Sequence, residues 1–269
     1  MTKTFESLNS NITILMDNND ANLRAWQRRF MMAAAVALPV SPLLYLQGRV
    51  TRWRVGVLPG AAGDTFGVAG KGADPVKLFV IGESTVAGIG ARDHERAFAG
   101  RFAKDLSEHI SRPVEWKVLG KDGVTARRTI EDLVPQMPDE RFEYILVGLG
   151  GNDVIKLSSP RKWRRDMLEL LGILRERCPD AVIFLSNCPM IKYSPAIPHP
   201  IRFLLWELSK MHDANIREFT RGMDRVCYYP QPADMRLEGF FADGLHPSEQ
   251  GYAEWAGAMM QYFAANYKW

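Results

Sequence analysis

The sequence predicts an α/β protein, a three-layer α/β/α sandwich with a five-stranded parallel sheet as its middle layer. Five short apolar or β-branched runs are separated by helix-length amphipathic segments, so strand and helix alternate through most of the chain. Parallel strands need long crossover connections, and the helices in those connections cover both faces of the sheet. In such a sheet, ligands bind at the carboxyl ends of the strands.

The alternating elements begin near Val76 and continue to the end of the chain. The predicted strands are residues 77–82, 114–119, 144–150, 181–187 and 225–229. The predicted helices are residues 95–111, 126–137, 161–177, 200–221 and 249–266. We assign residues 76–269 to one domain, because a chain of 269 residues suits one large domain with an appendage.

The N-terminal extension, residues 1–58, contains an apolar segment. The segment from Phe30 to Leu46 has seventeen residues, and only Ser41 is polar. This length is at the lower limit for crossing a bilayer, and Pro39 and Pro42 break or kink a helix. The arginines that flank it are Arg24, Arg28, Arg29, Arg49, Arg52 and Arg54. Three interpretations stay open: a kinked or re-entrant membrane anchor, an amphiphilic helix in the membrane interface, or a helix that packs on the domain.

The location of the protein is left open between the membrane and the cytoplasm. Segment 30–46 is a poor cleavable signal peptide, because it begins far from Met1 and no short basic start precedes it. The arginines on both sides of the segment give the positive-inside rule no basis for an orientation. Residues 59–75, rich in Gly and Pro, are predicted to be a linker between the extension and the domain.

Charge and cysteine content argue against several classes of protein. The net charge is +3 and the basic residues are scattered, which does not favour nucleic-acid binding. The three cysteines, Cys178, Cys188 and Cys227, match neither a CxxC nor a zinc-binding pattern, and an odd number cannot pair completely. We interpret them as small buried hydrophobic residues in a reducing compartment.

Candidate functional residues follow three of the predicted strands and precede the last helix. Ser84 comes directly after the first strand, within "GES", and Gly123 lies in the loop "GKDGVT" after the second. Asn152 follows the third strand within "GGND", and "DGLHP" carries Asp243 and His246 just before the last helix. Because these segments meet at one edge of the predicted sheet, we expect their side chains to converge there.

These four segments resemble the motifs of the SGNH hydrolases, also called the GDSL esterase/lipase family. "GES" stands where the family has GDS, "GVT" matches its second block, "GGND" its GxND block and "DGLHP" its DxxHP block. The motifs occur in the family's order, and the likeness spans residues 77 to 265. The sequence departs from the pattern at Glu83, where the family has Asp; the longer side chain is expected to disturb the turn beside the nucleophile and so to affect the rate.

The resemblance implies a flavodoxin-like fold and a catalytic triad of Ser84, Asp243 and His246. It also implies an oxyanion hole formed by the backbone N–H groups of Ser84 and Gly123 and by the side-chain amide of Asn152. No metal or organic cofactor is implied. The expected substrate is a small ester or a lipid-like acyl ester, and acetylated sugars stay open because the family includes such esterases. An acyltransferase would use the same triad.

The chemistry of the residues supports the same assignment. A serine hydroxyl is a poor nucleophile until a base removes its proton. The sequence has five histidines, and His246 alone has a carboxylate three residues earlier and a proline directly after it. Asp243 is placed to accept a hydrogen bond from the imidazole Nδ1, which leaves Nε2 free to act on Ser84.

Each motif also has a simpler structural interpretation. Ser84 alone is a common type of helix cap, Asn152 alone suits a turn, and the loop with His246 leads into a helix. The occurrence of all four motifs in order favours the hydrolase site. The competing hypothesis is a catalytically weak or inactive protein of the same fold, kept as a binding or scaffold protein at the membrane. Glu83 is the feature that favours this second hypothesis.

Overall fold

The centre of the protein is a six-stranded sheet, seen in a computed structural model that describes residues 21–56 and 58–268. The strands are β1 (Phe66–Ala69), β2 (Val76–Gly82), β3 (Val114–Gly120), β4 (Tyr144–Gly148), β5 (Val182–Leu185) and β6 (Val226–Tyr228). Strands β2 to β6 are parallel and have the order β3-β2-β4-β5-β6, the flavodoxin-like arrangement. The predicted α/β fold is confirmed, with one strand more than expected.

The additional strand, β1, lies in the segment that we predicted to be a linker. Residues Phe66–Ala69 pair antiparallel with Val114–Lys117 and so extend the edge of the sheet. The glycines and prolines around this short strand are typical of a linker, so the sequence does not indicate a strand here. Its outward-facing Phe66 and Val68 are 60% and 63% exposed, so they give no signal of a buried strand.

The helices cover both faces of the sheet. They are α1 (Ala21–Ala37), α2 (Ser41–Val55), α3 (Phe98–Ile110), α4 (Ala126–Arg128), α5 (Gly151–Ile155), α6 (Pro160–Arg177), α7 (Ile201–Phe219) and α8 (Glu249–Asn266). Apolar side chains of α6 and α7 pack on one face, and those of α3 and α8 on the other. The predicted helix 126–137 ends early as α4, followed by a π turn at Thr129–Leu133 and a 3₁₀ turn at Val134–Gln136. Pro135 stands in the first turn of that 3₁₀ segment, where its missing N–H costs nothing.

The N-terminal extension forms two consecutive helices, α1 and α2, joined by a 3₁₀ turn at Leu38–Val40. Pro39 and Pro42 each stand in the first turn of a helical segment, so the chain changes helix type and stays helical through both prolines. By length and composition, the apolar stretch Ala21–Thr51 is capable of crossing a membrane. Residues 1–20 and 57 of the predicted extension, and Trp269, lie outside the described residues.

Candidate active site

The residues that the sequence singles out lie around one cavity at the carboxyl edge of the sheet. Ser84 follows β2, Gly123 follows β3 and Asn152 lies in α5 after β4, while His246 precedes α8. All four line the same cavity, and Asp243 lies directly behind His246. The strand order reverses between β3, β2 and β4, which opens the crevice in which flavodoxin-like sheets place their ligands.

His246 and Asp243 form a tight pair. The imidazole Nδ1 lies 2.8 Å from Asp243 Oδ2, and Asp243 Oδ1 accepts hydrogen bonds from the backbone N–H groups of Leu245 (2.9 Å) and His246 (2.7 Å). Burial alone would raise the pKa of Asp243, but the hydrogen bonds from His246 and Leu245 outweigh burial and lower the pKa below its ordinary value. The carboxylate therefore stays ionised at neutral pH and holds one edge of the imidazole, which leaves Nε2 for other chemistry.

Ser84 lines the same cavity as this histidine and presents polar groups to it. Within residues 21–56 and 58–268, the Ser84 hydroxyl makes no hydrogen bond to His246 or to any other group. In the same part of the chain, the backbone N–H groups of Ser84 and Gly123 have no acceptor. Two backbone donors and one hydroxyl next to a cavity are therefore available to a bound molecule.

Gly123 is a glycine because of its backbone conformation. Its φ of +76° lies in the left-handed region that side chains with a Cβ disfavour. A Cβ at this position would meet no protein atom within 4 Å, so crowding within the protein does not require the glycine. The space beside residue 123 belongs to the open cavity.

Glu83 links the end of β2 to the start of α5. Its Oε1 accepts a hydrogen bond from the Gly151 N–H (2.7 Å), and its Oε2 accepts from the Asn152 N–H (2.7 Å) and from Asn152 Nδ2 (2.6 Å). One proton of the Asn152 amide is used in this way, and the other is left for a ligand. Burial raises the pKa of Glu83 to about 7, against the effect of the N–H donors, so its carboxyl titrates near neutral pH.

The longer side chain of Glu83 leaves the turn beside Ser84 intact, contrary to our expectation. The Glu83 carbonyl accepts hydrogen bonds from the N–H groups of Val86 and Ala87, both at 2.9 Å. The side chain extends away from this turn toward Gly151. A Cβ added at residue 151 would lie 2.9 Å from Glu83 Oε1, which is too close. A glutamate fits at position 83 because position 151, the variable position of the GxND block, is a glycine.

Replacing Gly151 by alanine therefore tests how Glu83 positions Asn152. In Gly151→Ala the new Cβ displaces the carboxylate and weakens its hydrogen bonds to Asn152. For the ester hydrolysis that the sequence predicts, we expect kcat to fall by about tenfold, equivalent to about 1.4 kcal/mol. The double variant Gly151→Ala/Glu83→Asp shortens the side chain by one methylene and is expected to recover most of the loss. Ester kinetics for the two single variants and the double variant measure this coupling; additive losses would contradict it.

A second buried carboxylate fixes the loop that carries Gly123. Asp153 is fully buried, and its Oδ2 accepts from the Ala126 N–H at 2.8 Å while its Oδ1 accepts from the Ser158 hydroxyl at 2.9 Å. The Thr125 hydroxyl caps α4 by accepting from the Arg128 N–H. Asp153 thus ties the loop after β3 to α5, which sets the position of Gly123 relative to Asn152.

The cavity is large and mostly apolar. Its volume is about 1870 Å³, whereas pockets for small ligands commonly measure about 300 to 1,000 Å³. Apolar side chains from α5 and α7 line it, among them Ile155, Ile201, Phe203, Leu208 and Met211. Ile197 lines the cavity as well and also packs in a buried cluster with Ile191 and Leu205. Within the described part of the chain, no group of three or more His, Cys, Asp or Glu side chains is arranged to hold a metal ion.

Comparison with known proteins identifies the family of the chain. The model of the GDSL-like Lipase/Acylhydrolase family matches residues 80–254, well over half of the sequence. The chain belongs to this GDSL-like hydrolase family. The match covers the loops of Ser84, Gly123, Asn152 and His246, and the resemblance to SGNH hydrolases is confirmed. No curated protein matches the chain.

Solved structures support the GDSL-like fold at low sequence identity. The family 3 carbohydrate esterase of Clostridium thermocellum has a TM-score of 0.53 at 16% identity, over 71% of this chain and 96% of that protein. A family two carbohydrate esterase of the same organism, in complex with cellohexaose, has a TM-score of 0.52 at 14% identity, over 72% of this chain and 66% of that one. Identities of this size establish the fold alone.

Two features of the GDSL-like site were missed by sequence reasoning. The partners of Glu83 lie in a loop that follows a different strand, and the Gly at position 151 beside Asn152 was the available signal. The second feature is the wall that the N-terminal helices contribute to the cavity, through residues such as Ala37 and Leu44. The run of alanines at the end of α1, Ala33 to Ala35 and Ala37, was the available signal there.

Proposed function

We propose that this GDSL-like hydrolase is a serine esterase that cleaves carboxylic esters through an acyl-enzyme on Ser84. His246 Nε2 removes the proton of the Ser84 hydroxyl as Oγ attacks the ester carbonyl carbon. The protonated imidazole then gives this proton to the departing alkoxide, and an alcohol leaves. Asp243 keeps the proton of the neutral imidazole on Nδ1 and stabilises the imidazolium that forms.

The negative charge on the carbonyl oxygen requires donors that are in place before the reaction. The N–H groups of Ser84 and Gly123 and the second amide proton of Asn152 are the candidates in this cavity. One such donor contributes on the order of 3 kcal/mol to transition-state stabilisation. Glu83 and Asp153 act as positioning residues, because they hold Asn152 and the Gly123 loop.

Water completes the cycle. His246 takes a proton from a water molecule, whose oxygen attacks the acyl carbon, and the Ser84 oxygen leaves with the proton from the imidazolium. A carboxylic acid is released and the serine is restored. The apolar lining favours an acyl group with a hydrocarbon chain over a polar one.

One observation supports the proposal: Ser84, whose hydroxyl makes no hydrogen bond within the described part of the chain, lines the same cavity as His246, which lies 2.8 Å from Asp243. Its test combines hydrolysis of p-nitrophenyl esters of increasing chain length with labelling by a fluorophosphonate probe. We expect turnover, and a single labelled peptide that contains Ser84. A folded protein that neither hydrolyses any of these esters nor reacts with the probe would favour the competing hypothesis of a binding or scaffold protein.

A further inference from the structure

Helices α1 and α2 form one wall of the candidate active-site cavity. Six of the residues that line it recur every three or four positions along both helices: Phe30, Ala33, Ala37, Ser41, Leu44 and Gly48. This is the spacing of a single helical face. Ala34, Leu38, Tyr45 and Arg49, each next to a member of this row, line the cavity as well. Four of the six side chains in the row are small, so this row leaves space in the cavity of Ser84 that large side chains would fill.

Other apolar side chains of these helices are exposed. Met32, Val36, Leu43 and Trp53 are 69%, 79%, 68% and 83% exposed, and none of them lines the cavity. A contiguous apolar surface of this kind is uncommon on a monomeric soluble protein and marks a site of association. We call these four residues the outer face.

The charges around the outer face match an anionic lipid surface. Residues 21–63 contain six arginines and no aspartate or glutamate. Arg28, Arg29 and Arg49 are exposed, at either end of the apolar segment. Basic residues that flank an apolar helical surface are typical of helices that lie in the interface of membranes with anionic lipids.

Both ends of the apolar segment are attached to the hydrolase domain. Gln27 Oε1 accepts from the Arg161 N–H of α6 at 3.2 Å, and Gln47 Nε2 donates to the His199 carbonyl, just before α7, at 2.8 Å. Near the start of α1, Leu23 is buried. A segment held at both ends lies along the domain, and it meets a bilayer side-on, in the plane of the interface.

We propose, on the basis of the ester hydrolysis proposed above, that α1 and α2 dock on an anionic bilayer with their outer face and guide a lipid acyl chain to Ser84 with their inner face. The substrate is then an ester of a bilayer lipid, and its acyl chain lies between α1, α2 and α7. Carboxylic esters dissolved in water reach the same serine without passing along the outer face.

Substitutions on each face, made in the full chain, test the two proposed roles separately. Val36→Glu/Leu43→Glu places two charges on the outer face, and we expect it to lower partition onto vesicles of phosphatidylcholine and phosphatidylglycerol by about tenfold or more. Hydrolysis of a long-chain ester carried in those vesicles falls in parallel. Turnover of soluble p-nitrophenyl butyrate stays within about twofold, as for other surface substitutions. The matched control, Phe66→Glu/Val68→Glu on β1, changes two apolar side chains of similar exposure outside the cavity and is expected to leave vesicle binding unchanged.

The inner face has a test of its own. Ala37→Trp fills the cavity beside α1, and we expect it to move the chain-length optimum to shorter p-nitrophenyl esters while vesicle binding is retained. An unchanged optimum would overturn the assignment of the inner face.

Other outcomes contradict the proposal at different levels. Wild-type protein that does not float with anionic vesicles, or outer-face variants that behave like the β1 control, would overturn membrane docking. Conversion of an oligomer to a monomer by the outer-face substitutions, without vesicle binding by the wild type, would identify a second copy of the chain as the true occupant. Vesicle binding without hydrolysis of any ester would contradict the proposed esterase function and, with it, the acyl channel.

Discussion

Ser84→Ala is expected to lower kcat for p-nitrophenyl esters by about 10⁶-fold, because loss of the nucleophile of a serine hydrolase has an effect of this order. The alanine side chain has no atom that can form the acyl-enzyme. The variant should also lose all labelling by fluorophosphonate. Since the Ser84 hydroxyl makes no hydrogen bond within the described part of the chain, its removal is expected to leave the free energy of unfolding nearly unchanged.

A second serine provides the matched control for this variant. Ser186 follows β5, is buried and lines the same cavity. We expect Ser186→Ala to change kcat by less than about tenfold, within the range of a lost neutral hydrogen bond. Equal losses in the two variants, or residual labelling in Ser84→Ala, would show that another group is the nucleophile.

Asp243→Asn is expected to lower kcat by about 10⁴-fold, with little change in fold. In this variant Oδ1 still accepts from the N–H groups of Leu245 and His246. The amide nitrogen, a donor, then replaces Oδ2 and faces the imidazole at about the same distance. His246 must accept at Nδ1, so its proton moves to Nε2 and the ring no longer takes the proton of Ser84.

The thermal midpoint of unfolding distinguishes this mechanism from a structural defect. An imidazole in the wrong tautomer lowers kcat while the thermal midpoint of unfolding stays close to that of the wild type. Asp234→Asn is the control, because Asp234 is an exposed aspartate at the rim of the same cavity. A loss for Asp243→Asn no larger than for Asp234→Asn would rule out a role for Asp243 in orienting His246.

The repeating part of the fold could be predicted because its signals are local. The apolar run Leu78–Ile81 is buried on both faces and became β2, and the segment after the serine at 248 became α8. The loops of Ser84, Gly123, Asn152 and His246 were placed at one edge because parallel strands end there. Their convergence on one cavity follows from topology, and their catalytic roles stay predictions.

Other features depend on contacts between distant parts of the chain. Strand β1 forms because residues Phe66–Ala69 pair with the edge of β3. No local sequence pattern indicates this pairing. The three interpretations of segment 30–46 could not be separated from sequence, since the choice depends on partners such as Arg161 and His199. The role of Glu83 was misjudged for the same reason: its partners come from the loop after β4.

Helix α8 also connects the two sides of the candidate site. Its Tyr252 hydroxyl donates to the Ile89 carbonyl at 2.7 Å, in the loop that follows Ser84, and its Trp255 stacks on Phe98 with ring centroids 4.2 Å apart. The same helix begins three residues after His246, so it holds both sides of the site. Ser84 is synthesised before His246, so it lacks its proposed base until the His246 loop and α8 have been made and have packed. On the proposed function, a polypeptide that contains Ser84 and lacks the His246 loop and α8 is therefore inert toward esters.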